Sequence, residues 1–559
     1  MKMKKLGRKA LALSLTIVLG TSMVLTGCGK DDKDAVSDNA NEIGVTTGLA
    51  SDTKGEVSIM VWSGDGEYYE DIGNPNSSAG KKLADAKNIT ASNVAQVHAV
   101  ATKFHEAYPN IKINLWSKVG DPDQYNTPKW EEEMDNFKAK YGKYPDIWGS
   151  TDVIRDLKKG LVADLSVYSD DDIYKSYNKS LMDQLNYYGF QAGLPSYTIP
   201  HGIWVNKALA EDHNINVPDP DWDIDEFTRF VKKADGKTFW GAKGTPLNIV
   251  SMGCDSINKS ISENDTVDLN SDQVKSLLQY LPKWAEVSID VADGAGNLTK
   301  DIVAESSAYS WFYFCNNRTL VNFEDPWFLT AGADESAKES DAYIKSNDWD
   351  FYPYPSTDYA ENTIQLVMDP ICLHNYALDD KNPEMSKEEK AKLDVTYTFA
   401  SFWTATTQAK QAIFDQEWSE NGQMKKAAGD TLPVVTGELY NQQMDIWNSL
   451  DAHKLYKDKE GWNKVLEIYK EGKTWDYIDK CWYSTVTENG ESKATLFEWV
   501  NCGQESVAGA WFTDKNWADN VKSRLSDWNT SCNKRIETAK KQLQDALVEY
   551  YNFDSAKFK

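Results

Sequence analysis

The chain has 559 residues, with 86 Asp and Glu against 60 Lys and Arg, a formal net charge of −26 and 41% apolar residues. So acidic a surface repels nucleic acid and anionic lipid, and a length this far beyond what one core supports implies at least two lobes. Tryptophan is in excess, with 21 residues beside 28 Tyr; flat aromatic faces fill cores and interfaces, and they also stack on the C–H faces of sugar rings.

Residues 1–27 join a basic head (Lys2, Lys4, Lys5, Arg8, Lys9) to the uncharged run ALALSLTIVLG, the pattern of a secretory signal. The run is too short to stay as a membrane span, which takes roughly 20 apolar residues. LTGC, ending at Cys28, resembles the lipobox of bacterial lipoproteins. That resemblance implies cleavage before Cys28 and its diacylation, and two acyl chains anchor a protein stably to the outer membrane face. Residues 28–55 are polar, almost without large apolar side chains, and read as a flexible tether. Its root-mean-square reach is on the order of 30 Å.

EVSIMVW is a buried strand ended by the turn SGDG. Val94, Val97, Ala101, Phe104 and Tyr108 recur at steps of three and four, predicting a helix over 91–108, and IKINLW alternates as a strand. A helix through EEEMDNFKAKYG then leads to the short strand in YPDIWGS. Strand, helix and strand at this spacing argue for parallel pairing in an α/β layer. Ligands of open α/β sheets bind beyond the carboxyl ends of the strands, which singles out Trp62 and Trp148. Acidic SGDGEYYED reads as a solvated loop rather than a calcium site. Beyond residue 430 the pattern is mostly helical, closing on an amphipathic helix in which Leu525, Trp528, Cys532, Ile536, Leu543, Leu547 and Tyr550 keep a helical step as core positions. Trp447, Trp462, Trp475 and Trp482 fall in a stretch, 440–500, with no recognisable motif.

Six cysteines besides Cys28 (254, 315, 372, 481, 502, 532) are widely spaced with no CxxC pair, so no pairing follows from sequence. Most read as small buried thiols, and one bridge among Cys481, Cys502 and Cys532 is left open. Six histidines form no metal-ligand motif. Neither a metal nor a cofactor is expected.

Several segments, in order, resemble the carbohydrate-binding group of the extracellular solute-binding proteins of bacterial ABC importers, which includes maltodextrin-binding proteins. They are VSIMVW with its loop, FHEAYPNIKINL, YPDIWGSTDVIRDLKKGLVADLSVY, GLPSYTIPHGIWVNKALAEDHNINVPDPDWDIDEF, VNFEDPWFLTAGA, WDFYPYP and GDTLPVV, together spanning about 57–440. The last hundred or so residues depart from the pattern, and Val205 stands where the family often has an aromatic before Asn206.

The resemblance implies an α/β, two-lobed, periplasmic-binding-protein-like fold (type II). Lobe 1 is expected over 57–195 plus 355–415, and lobe 2 over 205–350 plus 430–559. Crossings would lie near 195–205, 350–370 and 415–432. It also implies a ligand site of Trp62, Ser63 and Asp65 from the first loop and Trp148, Ser150 and Asp152 from the PDIW loop. Tyr197 and His201 would come from the first crossing and Glu324, Asp325 and Trp327 from lobe 2, with Asp369 and Trp447 as weaker members. The implied partners are an oligosaccharide and the permease subunits of an ABC transporter; a monomer held at the membrane by Cys28 is expected. Hinge closure on the ligand would present the closed form to the permease.

LVNFEDPWFLT places Glu324 and Asp325 beside Pro326 and Trp327. A glycosidase needs two facing carboxyls about 5 to 9.5 Å apart, and strand neighbours point to opposite faces, so this pair is poorly placed to cut. A carboxylate accepting from sugar hydroxyls through charge-assisted hydrogen bonds, beside a stacking indole, reads as a grip. No enzyme activity is expected. The rival readings are a surface glycoside hydrolase and a peptide-binding lipoprotein.

Overall fold

The computed structural model describes residues 48–119, 128–244, 247–305, 312–324, 348–378, 384–474, 485–502 and 517–558, apart from 259, 421, 428–430, 451–452, 490 and 501. The leader, Cys28 and most of the tether lie outside the described residues, as do Asp325, Trp327, Trp475, Cys481 and Trp482.

The apolar run at the start becomes β1 (Gly55–Gly64), followed by the short β2 (Tyr68–Tyr69). Helix α1 (Ser92–Ala107) buries Val94, Val97, Ala101 and Phe104, the stripe read from sequence. β3 (Ile111–Val119) and β4 (Ile147–Gly149) both pair with β1 in parallel, as strand-helix-strand spacing predicts. Asp152 caps the short helix α2 (Val153–Lys158). A tight hairpin, β5 (Asn186–Tyr187) and β6 (Phe190–Gln191), turns through Tyr188 and Gly189, both at positive φ, as such two-residue loops require.

β7 (Leu194–Val205) is the long crossing strand. In WDIDEF, Asp223 and Glu226 form a capping box that starts α3 (Ile224–Val231), while Trp222 is fully buried beneath it. Then come β8 (Trp240–Lys243), α4 (Leu247–Met252), β9 (Thr319–Glu324), β10 (Asp350–Tyr352) and β11 (Gln365–Leu373). The remainder is α5 (Lys387–Ala405), α6 (Thr407–Asp415), the hairpin β12 (Glu417–Glu420) and β13 (Gln423–Lys426), α7 (Gly437–Ser449), α8 (Glu460–Glu471), the hairpin β14 (Thr485–Glu488) and β15 (Glu491–Ala494), and α9 (Trp517–Tyr551).

One sheet runs through the molecule in the order β2-β3-β1-β4-β11-β7-β9-β8, with β10 also on β7. β1, β3 and β4 form the first lobe's share, and β8, β9 and β10 the second's. β7 and β11, antiparallel to one another, belong to both. The architecture is the mixed α/β, two-lobed form.

The third crossing differs from expectation. The described residues between 417 and 436 stay with lobe 1: Ser419 N–H donates to Ile89 O, Asn178 N–H to Val434 O and Thr436 N–H to Ser176 O. α7 also packs there, its Gln443 amide donating to Ala405 O. The passage to lobe 2 comes later, between α7 and α8, through an aromatic cluster. Trp447, Tyr456 and Trp462 pack on one another, and Tyr456 meets Trp204 and Trp349 of lobe 2. Large rings at both ends of the connection set its place, which a proline turn at GDTLPVV does not reveal.

Candidate functional site

Strand direction fixes where the two lobes face one another. β4 is antiparallel to β11 and β11 to β7, so β7 leaves lobe 1 in the sense of β1, β3 and β4. β9 is antiparallel to β7, and β8 parallel to β9, so these two run back. The carboxyl ends of β1, β3 and β4 therefore point at those of β8 and β9, with the β7–β11 ribbon spanning between them. This is the end of an α/β sheet where ligands bind.

The ribbon has two unlike faces. Direct pairing of Tyr197 with Asp369, Ile199 with Val367 and His201 with Gln365 puts these six side chains on one side. All but Ile199 are half-buried, whereas Thr198, Pro200, Leu366 and Met368 on the other side are buried. That reverse face is covered: the Thr198 hydroxyl lies 3.1 Å from Leu432 O and 3.1 Å from the Tyr469 hydroxyl. The face left to the interlobe gap carries a phenol, an imidazole, an amide and a carboxylate, a set able to donate to and accept from hydroxyl groups. Pro195, Pro200 and Pro370 each remove a ladder donor, and the register shifts between Asp369 and Pro370. Of the residues expected at the site, Tyr197, His201 and Asp369 are thus brought together, and Gln365 joins them. Sequence reasoning passed over Gln365, although the alternation in QLVMDP carries it.

At the end of β1, Asp65 Oδ2 accepts from the Tyr69 hydroxyl (2.5 Å), Oδ1 accepts from Glu67 N–H (3.2 Å), and the Asp65 N–H donates to Ser117 Oγ (2.9 Å). Trp62 and Ser63 lie in β1 and Glu324 ends β9 with its backbone opposite Gly202; their side chains are outside the described set. At the end of β8, Lys243 pairs with Asp290 at 2.6 Å, and Asp290 also accepts from Gly244 N–H at 3.0 Å. Lys118, near the end of β3, is only 5% exposed, and no motif signalled it.

The PDIW loop is placed otherwise than expected. Trp148 is 1% exposed, and its indole N–H and the Ser150 hydroxyl both donate to Asp156 Oδ2, at 3.0 and 2.7 Å. Asp152 Oδ1 accepts from Arg155 N–H at 2.9 Å and Oδ2 from the Thr485 hydroxyl at 2.8 Å. Burial pushes the Asp152 carboxyl pKa up, against the opposing pull of Arg155 and these hydrogen bonds. The β14–β15 hairpin, from the part of the chain without resemblance, sits on the loop and turns its polar groups inward. Trp447, expected as a contact, is 3% exposed, stacked on His453 with centroids 3.4 Å apart and on Trp462 at 5.6 Å. It is core.

Among the described residues there is no cluster of three or more His, Cys, Asp or Glu side chains able to hold a metal, and no helix long and apolar enough to cross a membrane. Burial pushes the thiol of Cys254 well up and that of Cys532 up to about 12, which makes both inert.

Residues 99–332 match the model of a family described as bacterial extracellular solute-binding protein. Those residues belong to that family. The match takes in the second half of α1, β3, β4, the crossing strand β7 and the strands of lobe 2 up to β9, the segments that frame the interlobe gap. Solved solute-binding structures share the fold. A family 1 extracellular solute-binding protein from Bifidobacterium longum subsp. infantis is 15% identical with a TM-score of 0.51, the alignment covering 85% of this chain and 99% of that one. A sugar transporter from Rhizobium etli in an open conformation is 14% identical with a TM-score of 0.52, over 85% and 99%. Maltodextrin binding protein MalE1 from L. casei BL23, without ligand, is 11% identical with a TM-score of 0.51, over 86% and 100%. At such identities the likeness is one of fold. No curated protein matches the sequence.

Proposed function

We propose that this solute-binding protein captures a carbohydrate, an oligosaccharide, between its lobes and delivers it to the permease of an ABC transporter, held at the outer membrane face by a lipidated Cys28. The observation that carries the reading is the β7–β11 ribbon, which offers Tyr197, His201, Gln365 and Asp369 to the gap on one face while its other face is packed. Sugar hydroxyls occur in adjacent donor and acceptor pairs. A carboxylate accepts from two of them through charge-assisted bonds, and phenol, imidazole and amide groups can both donate and accept. Glu324 ends β9, and with Asp325 and Trp327, which the resemblance implies, it would supply carboxylate and indole to grip the ring from lobe 2. The matched family is extracellular, the leader is of secretory type, and LTGC supplies the lipid site.

Calorimetric titration of the mature chain with a panel of oligosaccharides, followed by chromatography of each mixture, tests the reading. Binding of a sugar recovered intact supports it. Heat from peptides alone, or shortened sugar, refutes it. For the anchor, intact mass spectrometry of membrane-extracted protein should show Cys28 as the acylated N-terminus, and Cys28→Ala should release the protein to the medium.

A further inference from the structure

Helix α9 is fastened to both lobes. Near its C-terminal end, Gln542 accepts from Lys158 Nζ (3.4 Å), Gln544 donates to the Tyr188 hydroxyl (3.1 Å), the Tyr551 hydroxyl accepts from Val162 N–H (3.2 Å), and the Tyr551 ring meets Phe190 edge-on at 4.8 Å. All four partners belong to lobe 1. Further back, Asn529 accepts from Leu269 N–H (2.9 Å), Asn533 accepts from Val267 N–H (2.9 Å) and donates to Val267 O (2.8 Å), and Lys540 pairs with Asp265 (2.5 Å). These partners lie between β8 and β9, in lobe 2. From Asn529 to Tyr551 the helix spans about 33 Å. It contains neither proline nor glycine at which to kink, and Cys532, Ile536, Leu543 and Leu547 are fully buried along the way.

A second tie runs alongside. Thr485 bonds to Asp152 of lobe 1, the Trp499 indole N–H donates to Ser251 Oγ of α4 in lobe 2 (2.9 Å), and Glu498 is held by Arg535 of α9 (2.6 Å). Rotation of the lobes about any axis other than α9 itself must break one of these sets.

We propose that α9 and the 485–499 segment form a strut that fixes the separation of the lobes, so that this protein offers its ligand a preset cleft in place of the free hinge its crossing strands would allow. The strut comes from the region beyond residue 440, where no resemblance guided the sequence reading.

The test needs no ligand, so it stands or falls apart from the carbohydrate reading. Dyes are placed through non-natural amino acids at the exposed Lys112 of lobe 1 and Lys233 of lobe 2, in the mature chain carrying Cys28→Ser. Single-molecule energy transfer should give one narrow interlobe distance. Asn529→Ala with Asn533→Ala should add a second, longer distance, and so should the cut at the other end, Gln542→Ala with Gln544→Ala and Tyr551→Phe. Circular dichroism checks that each variant is folded; should one pair fail to fold, the other decides. Two exchanging distances in the uncut chain, or a folded cut variant that keeps the single narrow one, would overturn the strut.

Discussion

At the scale of the residue, polar groups on the half-buried ribbon face differ from side chains buried inside the protein. Asp369 is in the first class. Asp369→Asn keeps the shape but loses the charge-assisted acceptor, a difference of about 1.5 to 3 kcal/mol when such a bond is made, so calorimetry should show affinity weaker by roughly ten- to a hundredfold with little change in thermal stability. Trp447 and Asp152 are in the second class. Trp447→Ala removes a ring from the aromatic core and should cost about 3 to 5 kcal/mol in urea unfolding; Asp152→Ala removes a helix cap and should cost about 0.5 to 2 kcal/mol. Neither should alter the affinity of the folded protein under native conditions. Composition could not make this distinction for the 21 tryptophans, because an indole that stacks on a sugar and one that fills a core are the same residue until their neighbours are known. For Asp152 the deciding neighbour, Thr485, lies more than 300 positions away along the chain.

At the scale of the element, most of the framework was legible. β1, β3 and β4 are continuous or alternating apolar runs stopped by turns, α1 has an unbroken stripe, and the capping box of α3 is written in DIDEF. These signals are local, and local signals survive folding. Helix α1 also carries a pH-dependent contribution. His98 is 8% exposed, with Nδ1 3.0 Å from Ile72 O, and burial lowers its pKa below 6.5, with the carbonyl opposing. Neutral in the fold and near 6.5 when unfolded, it binds protons first in the unfolded chain. Its contribution is therefore full above about pH 6.5 and is lost as pH falls toward the folded value. Urea midpoints measured between pH 7.5 and 5 should decline, and His98→Gln should flatten that decline. The ribbon face was half legible: Tyr197, His201 and Asp369 stood out by position in the resembling segments, while the bulge at Pro370 that sets their register is a property of the paired strands.

At the scale of the whole molecule, the lobes are joined by more chain than the resemblance implied. Two crossing strands carry the candidate site, the passage between α7 and α8 is packed with aromatic rings, and α9 runs from lobe 2 back to lobe 1. The sequence could not place this last connection, because an amphipathic stripe states that a helix is buried on one face and not what it is buried against. Such a frame sets the half-buried polar face of the ribbon between two lobes whose strand carboxyl ends face it.

The measurement that bears most directly on this account is calorimetric titration of the mature chain with oligosaccharides, repeated with Asp369→Asn and with Tyr197→Phe. The account predicts saturable binding of a sugar that is recovered intact, weakened by both substitutions. Cleavage of the sugar, no oligosaccharide binding while peptides bind, or affinity indifferent to both substitutions would contradict it.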